Sequence, residues 1–308
     1  MAADPFAILR MRDGLTAANT IKGYRHDWKI FAAWCSLAHR NSFPATAETL
    51  CFFVERELTR GRKISTTVRR VTSVKYVHRA AGFESPAGAG VQELLVRAQR
   101  LTGEQPRQME PLSLAQIRTM SEQLRALNIE RAFRDRAILV IGFASALRRA
   151  SLADLLLSDV QVRSEGLVLH IRREKQDQEG RGRNIGLPIG KHEDTSPASC
   201  YADWLRARGS AEGPLFFAFD RWDRMERRAM TPASVGKVVK RAVRGIGLDP
   251  ARYSGHSLRS GFITEAAEAG AGELLIASQT GHRSMEILRR YFRRRDLFKA
   301  NACFAIGL

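Results

Sequence analysis

Cysteine is scarce and scattered. Four occur in 308 residues (Cys35, Cys51, Cys200 and Cys303), with no Cys-x-x-Cys pair and no histidine at zinc-ligand spacing. That argues against a disulfide scaffold or a zinc module and makes reduced thiols the expectation. Long apolar runs are missing as well. The longest, AILVIGFASAL from Ala137 to Leu147, is too short to span a bilayer and reads as a buried helix. The opening MAADPFAILRMRDG lacks the apolar h-region of a secretory signal. A soluble, cytoplasmic protein with no membrane partner is expected. Acidic residues are in deficit: 32 Asp plus Glu against 50 Lys plus Arg leave a net charge of +18. Residues 1–104 hold 16 basic and 9 acidic side chains, and the remainder 34 and 23, so the excess is spread along the chain. A polyanion explains this distribution, because each phosphate neutralised releases counterions. Internal repeats and low-complexity segments are absent. The 44% apolar and 27% charged fractions are those of an ordinary globular protein, long enough for two cores.

The first hundred residues read as helices. TAANTIKGYRHDWKIFAAWCSLA sets Ile21, Tyr24, Trp28, Phe31 and Trp34 on one stripe behind Thr16 as a cap. TAETLCFFVERELTRG repeats the pattern up to Gly61, ISTTVRRVTSVKYVHRAAG ends at Gly82, and GVQELLVRAQRLTG forms a fourth helix. The opposite faces carry Lys22, Arg25, Lys29, Arg62, Lys63, Arg69, Arg70 and Lys75. A merely solvated face would mix its signs, so residues 1–104 are expected to form a small helical DNA-binding domain. LTGEQPRQMEPLSLAQ, polar and holding Pro106 and Pro111, reads as an exposed linker, placed at 105–113. A second unit is expected over 114–308.

That second unit is also largely helical. DRAILVIGFASALRRASLADLLLSDV reads as a buried helix turning at Ala144–Leu147 into a shorter one. GLVLHIRREKQDQEGRGRNIGLPIG is the one convincing β segment: 167–172 and 184–189 flank a Gly- and charge-rich loop as a hairpin. Further helices are expected at 198–208, at 231–244 behind Thr231 and Pro232, and at 257–269, 273–280 and 284–293.

Five features stand in fixed order here. Arg148 lies in SALRRASLADL, Lys175 in the hairpin's RREKQDQ, and His256 and Arg259 in YSGHSLRSGF. His282 follows Gly281 in TGHRS, and Tyr291 comes nine residues later in RRYFRR. This set contains no paired carboxylates and no metal ligands, and it suits metal-free nucleophilic attack on a phosphodiester. Two guanidinium forks can clamp the non-bridging oxygens as charge builds on them. Arginine stays charged and bidentate where lysine would be a point charge. A tyrosine hydroxyl, with a pKa of about 10, needs neighbouring cations or a base to become a nucleophile. A lysine at a hairpin tip can protonate the leaving oxygen. His256 fits an acid–base partner and His282 a hydrogen bond to the phosphate. Spacing puts His256 and Arg259 on one helical face.

This order of Arg, Lys, His-x-x-Arg, Gly-His and Tyr resembles the tyrosine recombinase (phage integrase) family. ALRRASL stands where the family has Gly-Leu-Arg-x-Ser-Glu-Leu, and GHRSMEILRRY matches the Gly-His followed by a short helix and the tyrosine. Arg148 is favoured over Arg149 by register with that motif. Lys175 is favoured over its neighbours by its place at the exit of the first hairpin strand. Among the departures from the pattern, Ser151 replaces the usual Glu, which bears on the support of Arg148, and Ala146 replaces Gly, a smaller change.

The resemblance implies a mainly α fold with a small antiparallel β-sheet. An N-terminal helical core-binding domain and an α+β catalytic domain would close on double-stranded DNA. It implies site-specific recombination through a 3′-phosphotyrosine at Tyr291, with Arg148, Lys175, His256, Arg259 and His282 as the other catalytic residues. No metal or organic cofactor is expected. Partners would be a tetramer of this chain on two DNA sites, with room for accessory DNA-bending proteins. The rival readings are a type IB topoisomerase-like nicking and closing enzyme, or a DNA-binding relative without the chemistry.

Overall fold

The computed structural model describes residues 5–11, 18–103, 108–172, 182–282, 284–286 and 288–289. The chain divides into two compact units, Met1–Arg107 and Gln108–Leu308.

The first unit is helical: α1 (Pro5–Met11), α2 (Ala18–Leu37), α3 (Ala47–Thr59), α4 (Ile64–Ala80) and α5 (Ala89–Thr102). The expected Thr16 cap lies outside the described residues. Thr46 caps α3 by accepting the amide of Thr49 at 3.1 Å, and Gly103 ends α5 in the left-handed conformation. The stripes meet in a core of Leu9, Ile21, Trp28, Phe31, Leu50, Phe53, Val74 and Val77. One expectation is corrected here. Arg70 does not belong to an exposed basic face: it is buried and paired with Glu57. Arg69 reaches Asp27 at 3.0 Å, and Ser73 donates to the same buried carboxylate at 3.1 Å. Lys22, Lys29, Arg62 and Lys63 remain exposed.

The second unit contains α6 (Leu114–Leu127), α7 (Glu130–Ser145), α8 (Arg149–Ala153), β1 (Val160–Arg163), β2 (Gly166–Ile171) and β3 (Arg183–Pro188). It continues with α9 (Pro197–Arg208), β4 (Phe217–Phe219), β5 (Met225–Ala229), α10 (Pro232–Gly245), α11 (His256–Glu268) and α12 (Glu273–Thr280). The fold is mainly helical with small antiparallel sheets, as expected. One sheet runs β1-β2-β3, with Leu167 opposite Leu187 and Leu169 opposite Ile185 facing the core. β4 and β5 form a second hairpin, so the first is not the only β segment. Residues 110–112, within the expected linker, are tied to this unit: Glu110 donates its amide to the carbonyl of Arg252, and Leu112 to that of Ser257.

The centre of this unit is α7, whose Ala137–Ile141 run is buried on all sides. Its Arg136 is fully buried between α6 and α9, donating to Ser121 at 2.9 Å and paired with Asp203. Gly261 lets α11 approach the chain before α6: a Cβ there would lie 2.0 Å from the carbonyl oxygen of Leu112. Hydrogen bonds from Arg259 and Gln279 bring the C-terminal end of α7, the first turn of α11 and the last turn of α12 to one place.

Candidate active site

The site is assembled from backbone irregularities at helix ends. α7 stops at Ala146, which takes the left-handed conformation with φ +49°. The turn this makes puts Arg148 at the N-cap of α8 and leaves the Ala146 carbonyl free of the helix. α11 starts at His256. Ser254 accepts the amide of His256 at 3.2 Å, and Ser257 accepts the amide of Ser254 at 3.0 Å, so hydroxyls meet the open donors of this turn.

Arg259, one turn into α11 and almost fully buried, joins the three segments. Its Nη1 donates to the carbonyl of Ala146 at 2.8 Å and to that of Thr280 at 2.8 Å. Its Nη2 lies 2.9 Å from Nε2 of His282. His282 also contacts the Thr280 hydroxyl through Nδ1 at 2.6 Å. The expected Arg148, His256, Arg259 and His282 are therefore brought together from positions 148 to 282 of the chain. Lys175 and Tyr291 lie outside the described residues.

The electrostatics follow from crowding two arginines and two histidines. Burial, then the charges of Arg259 and Arg148, then His256 and Arg183, pull the pKa of His282 down to about 4. His256 is lowered too, first by the protein packed beneath it and then by Arg259 and Arg148, although its outer edge meets solvent. Burial and the neighbouring guanidinium charges thus bias both imidazoles toward their neutral forms. The positive patch, with Arg259 buried, Arg148 and His282 half-buried and His256 exposed, can receive an anion with several oxygens.

Sequence reasoning missed two neighbours. Arg183, at the start of β3, donates to the carbonyls of Ser278 at 3.1 Å and Gln279 at 3.0 Å. It covers open acceptors at the C-terminal end of α12, where positive charge is favoured. Nothing in RGRNIGL separates it from the other cations of that loop. Gln279 donates to the carbonyl of Ala144 at 3.0 Å and so binds α12 to α7. Ser151 lines a pocket of about 450 Å³ with Asp154, Asp159, His170 and Arg172. In it Arg172 pairs with Asp159 at 3.1 Å and donates to the carbonyl of Asp154 at 2.8 Å. Among the described residues no group of His, Cys, Asp and Glu could hold a metal ion, and no helix is long and apolar enough to cross a membrane.

Comparison with known proteins gives a consistent result. Residues 112–297 match the model of the phage integrase family. An integrase/recombinase xerD homolog of Selenomonas ruminantium is 32% identical over 295 residues, covering 93% of this chain and 84% of that protein. Recombinase cre of Escherichia phage P1 is 26% identical over 299 residues, 88% of this chain and 84% of that one. Two solved structures share the fold. The XerH site-specific recombinase in its post-cleavage complex with palindromic difH substrate has a TM-score of 0.67 at 18% identity, over 92% of this chain and 80% of its own. The Tn1549 transposon integrase bound to transposon right end DNA has a TM-score of 0.67 at 17% identity, over 94% and 93%.

Proposed function

The chain belongs to the phage integrase family and is a site-specific tyrosine recombinase; on that premise we propose that it breaks and rejoins double-stranded DNA through Tyr291. The tyrosine oxygen attacks the scissile phosphorus, a 3′-phosphotyrosine bond forms, and the bond to the 5′ oxygen of the next nucleotide breaks. The tyrosine proton passes to neutral His256, and Lys175 supplies a proton to the departing 5′ oxygen. Arg148 and Arg259 hold the non-bridging oxygens as their charge grows. His282 adds a hydrogen bond. Attack by the 5′ hydroxyl of a partner duplex reverses these steps and joins the new strand. The covalent bond conserves the phosphodiester energy, so the cycle needs no energy-supplying cofactor.

The observation that carries this reading is the Arg259 side chain. It is bonded at once to the segment holding Arg148, to the last turn of α12 and to His282. Exposed Lys22, Lys29, Arg62 and Lys63 on the first unit supply positive charge for the phosphates of the same duplex. Exchange between two sites calls for four copies of the chain, and the apolar end of the tail, Leu297 to Leu308, is the segment we assign to linking one protomer to the next. Head-to-tail donation of this kind closes into a ring.

A nicked suicide duplex and a two-site plasmid test the proposal. A recombinase of this kind traps DNA covalently and yields joined products from two sites. Plasmid relaxation without strand exchange would indicate a topoisomerase-like enzyme, and binding without any covalent trap a DNA-binding relative.

A further inference from the structure

The hydrogen bonds around His282 run in one direction. The Thr280 hydroxyl is 2.6 Å from the carbonyl oxygen of Ile276, and a carbonyl can only accept, so the single hydroxyl proton is used there. The Nδ1 of His282, 2.6 Å from the same hydroxyl oxygen, must then be the donor. Nε2 is left with its lone pair, and Nη2 of Arg259 lies against the ring, 2.9 Å from Nε2 and 3.4 Å from Nδ1. The chain of donors runs from His282 to Thr280 to the backbone of α12. Which nitrogen of an imidazole carries the proton is set by the partner of the other. Here that partner is a buried threonine immediately before the Gly281-His282 pair.

In this form His282 cannot donate through Nε2. A hydroxyl, however, both donates and accepts. Turned away from Ile276, the Thr280 hydroxyl can donate to Nδ1, and the proton on the ring then sits on Nε2. We propose that Thr280 is a positioning residue that selects the tautomer of His282, Nδ1–H in the free protein and Nε2–H, a donor to the phosphate, once DNA is bound. Arg259 anchors Thr280 through its carbonyl at 2.8 Å, so the guanidinium, the hydroxyl and the imidazole move as one set. The low basicity of His282, with a pKa of about 4, supports this exchange: the ring stays neutral, and only the placement of its proton changes. The proposal rests on His282 being the phosphate contact named above.

The test uses the full chain with Thr280→Val, Thr280→Ser and His282→Ala. Nitrogen-15 NMR of labelled histidines reads the tautomer, and covalent capture on a suicide duplex reads cleavage. Free wild-type protein should show the Nδ1–H form. Thr280→Val should release His282 from the Nδ1–H form, and it should slow cleavage by about ten- to a hundredfold, because the Nε2–H form then lacks the hydroxyl that donates to Nδ1 and holds the ring toward the phosphate. Thr280→Ser should restore both. An Nε2–H form in the free wild type overturns the proposal without need of any variant. So does wild-type cleavage by Thr280→Val, or a Thr280→Ser protein as slow as the Val one. If His282→Ala cleaves normally, the assignment of His282 itself falls, which separates that failure from a failure of Thr280.

Discussion

Arg259 donates through Nη1 to the carbonyl of Ala146, 2.8 Å away and two residues before Arg148. The bond exists because Ala146 sits at φ +49°, a conformation that costs an L-residue about 1–2 kcal/mol. The substitution of Ala for the family's glycine therefore falls on the residue that aims the carbonyl. Ala146→Gly should relieve that strain while removing one buried methyl worth about 0.8 kcal/mol, leaving stability and cleavage close to those of the parent. Ala146→Val, β-branched at positive φ, should lose about 2 kcal/mol or more and cleave slowly. Thermal melts and single-turnover cleavage of both variants check this. An unaffected Val variant would show that the turn is not under tension.

A second expectation concerns Ser151. The pocket of about 450 Å³ that it lines also holds Arg172, so a larger acidic side chain has both space and a positive neighbour. Ser151→Glu should fold, with a melting temperature within a few degrees of the parent, since a surface-lined substitution of this kind shifts stability by only about 0.5 kcal/mol. It should cleave at least as fast as the parent. Loss of folding or of DNA binding would mean that the carboxylates of Asp154 and Asp159 already fill the role and repel a third.

Protonation gives a third. His282 falls from 6.5 to about 4 on folding, and His256 and the buried His78 are also lowered. In His78, Nε2 accepts the amide of Ala45 at 2.8 Å, which a proton on that nitrogen would break. The unfolded chain binds these protons first, so the stabilisation is complete above about pH 6.5 and is lost as pH falls toward 4. Melting temperatures measured between pH 7.5 and 4.5 should decrease steadily. A rise on acidification would contradict neutral histidines in the fold.

Much of this was legible in the sequence because the signals were local. Stripes such as Ile21, Trp28 and Phe31 need only helical periodicity, and α12 falls on the expected 273–280. Arg148, His256, Arg259 and His282 stood out through short motifs. What escaped depends on partners distant in the chain. Arg70 looked like a surface cation because Glu57 is thirteen residues away and on another helix. Arg183 and Thr280 act on backbone carbonyls, which leave no mark in side-chain patterns. β4 and β5 were missed because FAF is short and MERRA is mostly charged.

A fourth expectation concerns the tail, which lies outside the described residues and, apart from Leu297, beyond the family match. A protein lacking residues 297–308 should fold and bind a single site, yet assemble poorly on two. Sizing of DNA complexes separates these states. If the shortened protein unfolds or aggregates, the tail packs on its own chain and the assigned link between protomers is wrong.

The most direct test is to locate the covalent bond. The protein is reacted with a nicked suicide duplex, digested with protease, and the DNA-bearing peptide is identified by mass spectrometry. The nucleotide should be carried by Tyr291, and Tyr291→Phe should form no adduct while binding DNA almost as tightly, since one hydroxyl adds little to a many-phosphate contact. An adduct on another residue, or one that survives in the Phe variant, would contradict the account.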